Sequence, residues 1–181
     1  MEKGLSEQVN EIAGVLKDET YIQPYMNAIL YIKDMIDEYK KRYSQADGDS
    51  PVQAVEYRVK SAESIADKLV KKGYAISLAN AECYLNDLAG VRVVCSTEKD
   101  IYSLEDYLRR RDDVTIIRRK DYIKKPKENG YKSLHLITDV QVLKNKTKVR
   151  VELQLRTPTM HCWAEADHRS CYKTVNNFIK K

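Results

Sequence analysis

The nine residues from Val149 to Thr157, Val-Arg-Val-Glu-Leu-Gln-Leu-Arg-Thr, alternate apolar and polar without a break. A period of two belongs to a β-strand, because successive side chains leave a strand on opposite sides. Val149, Val151, Leu153 and Leu155 fall on one face, and Arg150, Glu152, Gln154 and Arg156 on the other. The fold must therefore contain a sheet with one buried face. Glu152 is the only acid between Asp139 and Glu165. Its polar face has two readings. Most such faces are simply solvated. The alternative is a site where an anion and a metal meet, and the rest of the chain decides between them.

Upstream, the periodicity switches to three and four. Ser6 is placed to cap a helix carrying Val9, Ile12 and Leu16, and Pro24 to open a longer one with the stripe Ile22, Tyr25, Met26, Ile29, Ile32, Ile36, Tyr39 and Tyr43. The polar run from Gln45 to Pro51 reads as a loop. It divides the chain into an N-terminal helical extension, residues 1–50, and a core, residues 51–181. Ser61 then caps a helix that Gly73 ends, and Asn80 opens a short helix ending near Asp87. Val91 to Cys95 reads as a buried strand, Ile101 to Arg111 as a helix and Val114 to Arg119 as a strand. A loop from Ile123 to Gly130 follows, then a strand from Tyr131 to Val142 and a turn from Lys144 to Lys148. Pro158 starts a last helix reaching about Lys173. The pattern is α+β, a sheet flanked by helices.

Charge bears on the partner. The 181 residues carry a formal charge of +5 with 43% hydrophobic residues, an ordinary soluble balance that favours an anion: nucleotide, RNA or acidic lipid. No apolar run approaches the ~20 residues that cross a bilayer, and the first twenty residues lack a secretory core. A cytoplasmic protein without a membrane partner is expected. The four cysteines form no CxxC pair, so free thiols are expected, and His161, Cys162, His168 and Cys171 lack the paired spacing of a structural zinc site.

Three clusters carry chemistry. Asp87 precedes the buried strand and would pair with Glu152 if the two strands are neighbours, giving the one or two carboxylates that Mg²⁺ takes. Asp87 is equally readable as a helix-terminal residue without a role. Arg58, Lys60, Ser64 and Lys68 surround a helix N-terminus, a natural place for phosphate. The same pattern fits a solvated helix. The loop from Lys124 to Tyr131 offers lysines, Gly130 and an aromatic ring that could stack a base, or it is a charged hairpin. It lacks the Walker A pattern. His135 shares the strand face of Tyr131 and Ser133, where a lone His is usually structural.

In order along the chain stand Arg-Val-Lys-x-x-x-Ser (58–64), Asp-Leu-Ala-Gly-Val-Arg (87–92), Asn-Gly-Tyr-Lys-Ser-Leu-His (129–135), Glu-Leu-Gln-Leu-Arg-Thr (152–157) and Trp-Ala followed by His and Tyr-Lys (163–173). Together these blocks resemble the synthetase domain of the RelA/SpoT family of alarmone synthetases, over residues 57–173. The resemblance implies a nucleotidyltransferase-like mixed sheet and transfer of pyrophosphate from ATP to the 3′-hydroxyl of GDP or GTP, releasing AMP. It implies one Mg²⁺ held by Asp87 and Glu152, with Glu152 also the base. Arg58, Lys60, Ser64, Lys68 and Arg92 match ATP-side residues. Tyr131 matches a guanine-stacking tyrosine, its ring expected free at the mouth of the site. Lys125, Lys132, His135, Gln154 and Arg156 fall in the acceptor region, as do His161 and Asp167, which depart from the Asn or Asp and the Glu common there. Rival readings are a relative that pyrophosphorylates the tRNA 3′ end and an idle module binding single-stranded RNA. Self-association as a homo-oligomer is left open.

Overall fold

A computed structural model describes residues 4–44, 49–142 and 148–166. The alternating stretch is the middle strand of a five-stranded sheet. In chain order the strands are β1 (Val52–Val59), β2 (Ala89–Cys95), β3 (Val114–Asp121), β4 (Leu134–Gln141) and β5 (Lys148–Arg156). Their order across the sheet is β1-β2-β5-β4-β3. The β2–β5 pair is parallel and the other three pairs are antiparallel, which makes the sheet mixed.

The helices are α1 (Leu5–Val15), α2 (Glu19–Tyr43), α3 (Ala62–Lys71), α4 (Leu78–Tyr84) and α5 (Glu98–Arg109), and residues 158–166 are helical again. The apolar stripe of α2 covers one face of the sheet: Ile29, Ile32 and Ile36 are buried with Val91, Val93, Leu134, Leu136, Leu153 and Leu155. Helix α5 adds Ile101, Leu104 and Leu108 to this core. A second cluster joins α1, α3 and α4 through Ile12, Ile65, Leu69, Ala81 and Leu85. The other sheet face carries Glu152 and its polar neighbours. Among the described residues, no helix is long and apolar enough to cross a membrane.

Local signals account for most boundaries. Ser61 accepts the Ser64 N–H at 3.3 Å and caps α3, and Gly73, at φ 77°, follows the C-cap. Thr97 and Asp100 form a capping box at the start of α5. Some expectations are corrected. Ser6 lies inside α1, whose N-cap is Gly4 with no side-chain bond. Helix α2 begins at Glu19 because Asp18 accepts the Thr20 N–H at 2.8 Å, so Pro24 sits inside it. Ser77, not Asn80, caps α4. Strand β1 had no counterpart in the sequence reading, and β4 starts three residues later than expected, which leaves Tyr131 in the loop. The turn from Lys144 lies outside the described residues up to Lys148.

Candidate active site

Register builds the site. Gly90 on β2 is the partner of Arg58 on β1 and of Glu152 on β5, while Arg92 is the partner of Glu56 and of Gln154. Residues paired across a sheet project on the same side. The open face therefore carries Arg58, Gly90 and Glu152 in one row and Glu56, Arg92 and Gln154 in the next. These rows and Asp87 line a cleft of about 260 Å³. Gly90 forms its floor, since any side chain there would rise into it. A glycine inside a strand often marks such a close approach.

Asp87 follows α4 and stands just before β2. Its Oδ2 accepts from Lys60 Nζ at 3.0 Å and Lys68 Nζ at 2.6 Å. Burial would raise this carboxyl, but the Lys68 hydrogen bond and the charge of Lys60 outweigh it and hold Asp87 below the usual aspartate range. Lys60 is only 8% exposed, so Asp87 also balances a nearly buried cation. Oδ1 is buried and has no hydrogen-bond partner among the described residues.

Glu152 has both oxygens engaged. Oε1 meets His135 Nδ1 at 3.2 Å, and Oε2 accepts from Gln154 Nε2 at 2.9 Å. Burial pushes its pKa up, yet the His135 and Gln154 bonds prevail and the net shift is downward. Asp87 acts on it in the raising direction, so the two carboxylates feel one another. Arg156 is 4% exposed and its Nη2 donates to Gln154 Oε1 at 2.9 Å and to the Tyr131 hydroxyl at 2.8 Å. That hydroxyl also meets His135 Nε2 at 2.8 Å.

Arg92 is already partnered. Its Nη1 lies 2.9 Å from Glu56 Oε2 and 2.9 Å from Glu165 Oε1, the latter on the final helical segment. His161 Nε2 stands 3.8 Å from Glu56 Oε1. Of the remaining residues singled out in the sequence, Arg58 lies on the cleft, and the Ser64 N–H and hydroxyl meet the Ser61 hydroxyl at the helix cap. Lys125 and Lys132 are exposed. Asp167, His168 and Cys171 lie outside the described residues.

The Tyr131 ring does not stand free. It is half-buried, with Lys127 Nζ 4.7 Å and the Arg156 guanidinium carbon 5.4 Å from its centroid, and Tyr122, His135 and Trp163 packed edgewise around it. Asp121 shapes the loop by accepting the N–H groups of Ile123 and Lys124, both at 3.0 Å. The sequence reading assigned no role to Gly90, Glu56, Glu165, Tyr122 or Trp163. Glycine within β2 was a usable signal for the first. The others are brought in by tertiary contacts that no local pattern announces. Lys120 on β3, the partner of His135, adds a further cation on this side.

The donors suit a hard divalent cation: two carboxylates on one cleft, and on Asp87 a buried oxygen without a hydrogen-bond partner among the described residues. Each Glu152 oxygen keeps a second lone pair.

Comparisons with known proteins bear on the family and the fold. A model of the region found in RelA / SpoT proteins matches residues 57–177. GTP pyrophosphokinase YwaC of Bacillus subtilis is 37% identical over 172 residues, spanning 90% of this chain and 81% of the relative. Small alarmone synthetase 1 of B. subtilis, solved with its product pppGpp, superposes with a TM-score of 0.76 at 33% identity, covering 88% of this chain and 81% of that one. Its complex with AMPCPP gives 0.67 at 30% identity, covering 87% and 79%.

Proposed function

The chain belongs to the RelA/SpoT family, and from that premise we propose that it transfers pyrophosphate from ATP to the 3′-hydroxyl of GDP or GTP, releasing AMP. The observation that carries the reading is the parallel β2–β5 pairing. It sets Glu152 beside Gly90 on a cleft that also holds Asp87, Arg58 and Arg92. Relatives named as GTP pyrophosphokinases, and a neighbour solved with pppGpp, support it.

In this reading the 3′-oxygen attacks the β-phosphorus of ATP. The bond from that phosphorus to the α,β-bridging oxygen breaks, and AMP leaves with that oxygen. Glu152 takes the hydroxyl proton, a role its lowered pKa permits because it stays ionised at neutral pH. Lys60 and Lys68 hold Asp87 ionised and bring positive charge to the polyphosphate, as do Arg58 and Arg92. Positioning and charge neutralisation supply most of the rate in such transfers. Asp87 Oδ1 and Glu152 would hold Mg²⁺, which when bound neutralises phosphate charge.

The test is incubation with labelled ATP and GDP, GTP or tRNA, followed by chromatography. Label passing to GDP or GTP with release of AMP is expected. Label on tRNA alone would replace the acceptor, and no transfer at all would leave only a binding module.

A further inference from the structure

Five side chains on the acceptor side close a ring. Glu152 bonds His135, His135 bonds Tyr131, Tyr131 bonds Arg156, Arg156 bonds Gln154, and Gln154 returns to Glu152, at heavy-atom separations between 2.8 and 3.2 Å. With a neutral His135, the donors can be arranged in one way that satisfies all five contacts of the ring. Arginine only donates, so the Tyr131 oxygen and Gln154 Oε1 both accept from Arg156. With its carbonyl oxygen engaged, Gln154 turns its amide NH₂ to Glu152 Oε2. Tyr131 has its own proton left and gives it to His135 Nε2. His135 therefore carries its hydrogen on Nδ1 and donates to Glu152 Oε1. In the opposite tautomer, His135 Nδ1 would face a carboxylate with no proton between them.

We propose that His135 and Gln154 are positioning residues that fix the Glu152 carboxylate, and that Tyr131 and Arg156 lock them from the loop and from β5 into one hydrogen-bonded unit. This rests on the reading that Glu152 receives the proton of the 3′-hydroxyl. It assigns His135 away from direct acceptor contact, because both of its ring nitrogens are spent, on Tyr131 and on Glu152. It also gives the Tyr131 hydroxyl a task separate from its ring. Two strands and a loop meet in the ring: β4 supplies His135, β5 supplies Glu152, Gln154 and Arg156, and the loop supplies Tyr131. Polar networks hold their members in place through the bonds they satisfy; here Arg156 takes part through Nη2, while its Nε and Nη1 have no hydrogen-bond partner among the described residues.

Tyr131→Phe keeps the π-face and deletes one ring member. A single hydrogen bond is worth about 1 kcal/mol, so kcat should fall by about fivefold, with the acceptor KM changed less than about twofold. His135→Ala should lower kcat further, and adding Tyr131→Phe to it should cost little more, since both open the same ring. Unchanged kcat in Tyr131→Phe, or losses that simply multiply in the double variant, would overturn the proposal. A second readout needs no turnover. The ¹⁵N shifts of the His135 ring should report the Nδ1–H tautomer in the wild type, with the Nε2 signal moving in Tyr131→Phe. A wild-type ring with hydrogen on Nε2 alone would overturn the ring even in an active enzyme. Failure of the activity itself would be seen separately, as wild-type protein that transfers nothing to GDP or GTP.

Discussion

At the scale of single residues, the site is a set of charges already committed to one another. Glu152→Gln is the cleaner test of the carboxylate pair, because glutamine retains the shape and part of the bonding to His135 and Gln154. Turnover should fall by about 100- to 1,000-fold or more, with the melting temperature nearly kept. Asp87→Asn should be as inactive but less stable, since Lys60, 8% exposed, loses its counter-charge. The double variant should be no worse in turnover than the singles, and multiplied losses would show that the two act independently. Arg92 leads to an opposite prediction. Glu56 and Glu165 occupy the guanidinium that the donor nucleotide would use. Such part-exposed pairs are weak, about 0.2–1 kcal/mol, so Glu165→Gln should lower the ATP KM by about two- to fivefold and leave the acceptor KM alone. A raised ATP KM would mean that Glu165 helps to hold Arg92 in its binding position.

At the scale of elements, β5 was legible and β1 was not, for one physical reason. Strand β5 is central, so its alternation of Val151, Leu153 and Leu155 against Glu152 and Gln154 reports one buried face. Strand β1 lies at the sheet edge, where only Val52 is fully buried, so its sequence shows little period. Arg58 thus passed for part of a helix N-terminus when it closes a strand opposite Gly90. One helix start was legible at its side-chain cap, Ser61, but α2 and α4 begin at the caps Asp18 and Ser77 rather than at Pro24 and Asn80, because several polar residues near each start could serve as the cap. The pairing of Asp87 with Glu152 was legible only as a condition, because no local pattern states which strands are neighbours. The ring around Tyr131 was not legible at all: it depends on a loop folding back over β4 and β5. The β2–β5 register can be tested at Gly90. A Cβ there would meet only the Glu152 carbonyl oxygen, at 3.8 Å, so Gly90→Val should fold. Its side chain would occupy the cleft floor and misplace the donor, lowering kcat/KM on the order of 100-fold without lowering the melting temperature. A fully active Gly90→Val would mean that the donor does not lie across β2.

At the scale of the whole molecule, ionised carboxylates stitch the helices and the loop to the sheet. Glu105 on α5 holds Arg119 on β3 at 2.7 Å, Asp113 holds Arg111 and the Tyr31 hydroxyl of α2, and Asp121 holds Arg119 and the loop backbone. Their pKa values are all depressed. For Asp113 the chief cause is the Arg111 hydrogen bond. For Glu105 and Asp121, burial acts upward and is outweighed by Arg119 with Arg109, and by the Lys124 N–H with Arg119. A depressed carboxylate stabilises the fold above its unfolded value, here near 3.8 for aspartate and 4.5 for glutamate, and loses that contribution as pH falls through the lower folded value. Tyrosines act at the other end. Burial raises Tyr39 to about 12, so its contribution is whole below pH 10 and is lost as pH climbs toward 12. The melting temperature should therefore be level between about pH 5 and 9 and fall on both sides. Glu105→Gln separates this account from general acid unfolding. Glu105 is 4% exposed, and without its charge Arg109 and Arg119 lose their shared partner, a cost of about 1–3 kcal/mol at pH 7. As pH falls below the unfolded value of 4.5 and through the lowered folded value, the wild-type carboxyl loses this contribution, so the two proteins should draw together. Calorimetry of both from pH 7 to pH 3 decides it: a gap that stays constant across that range would show that Glu105 acts through packing and not through its charge.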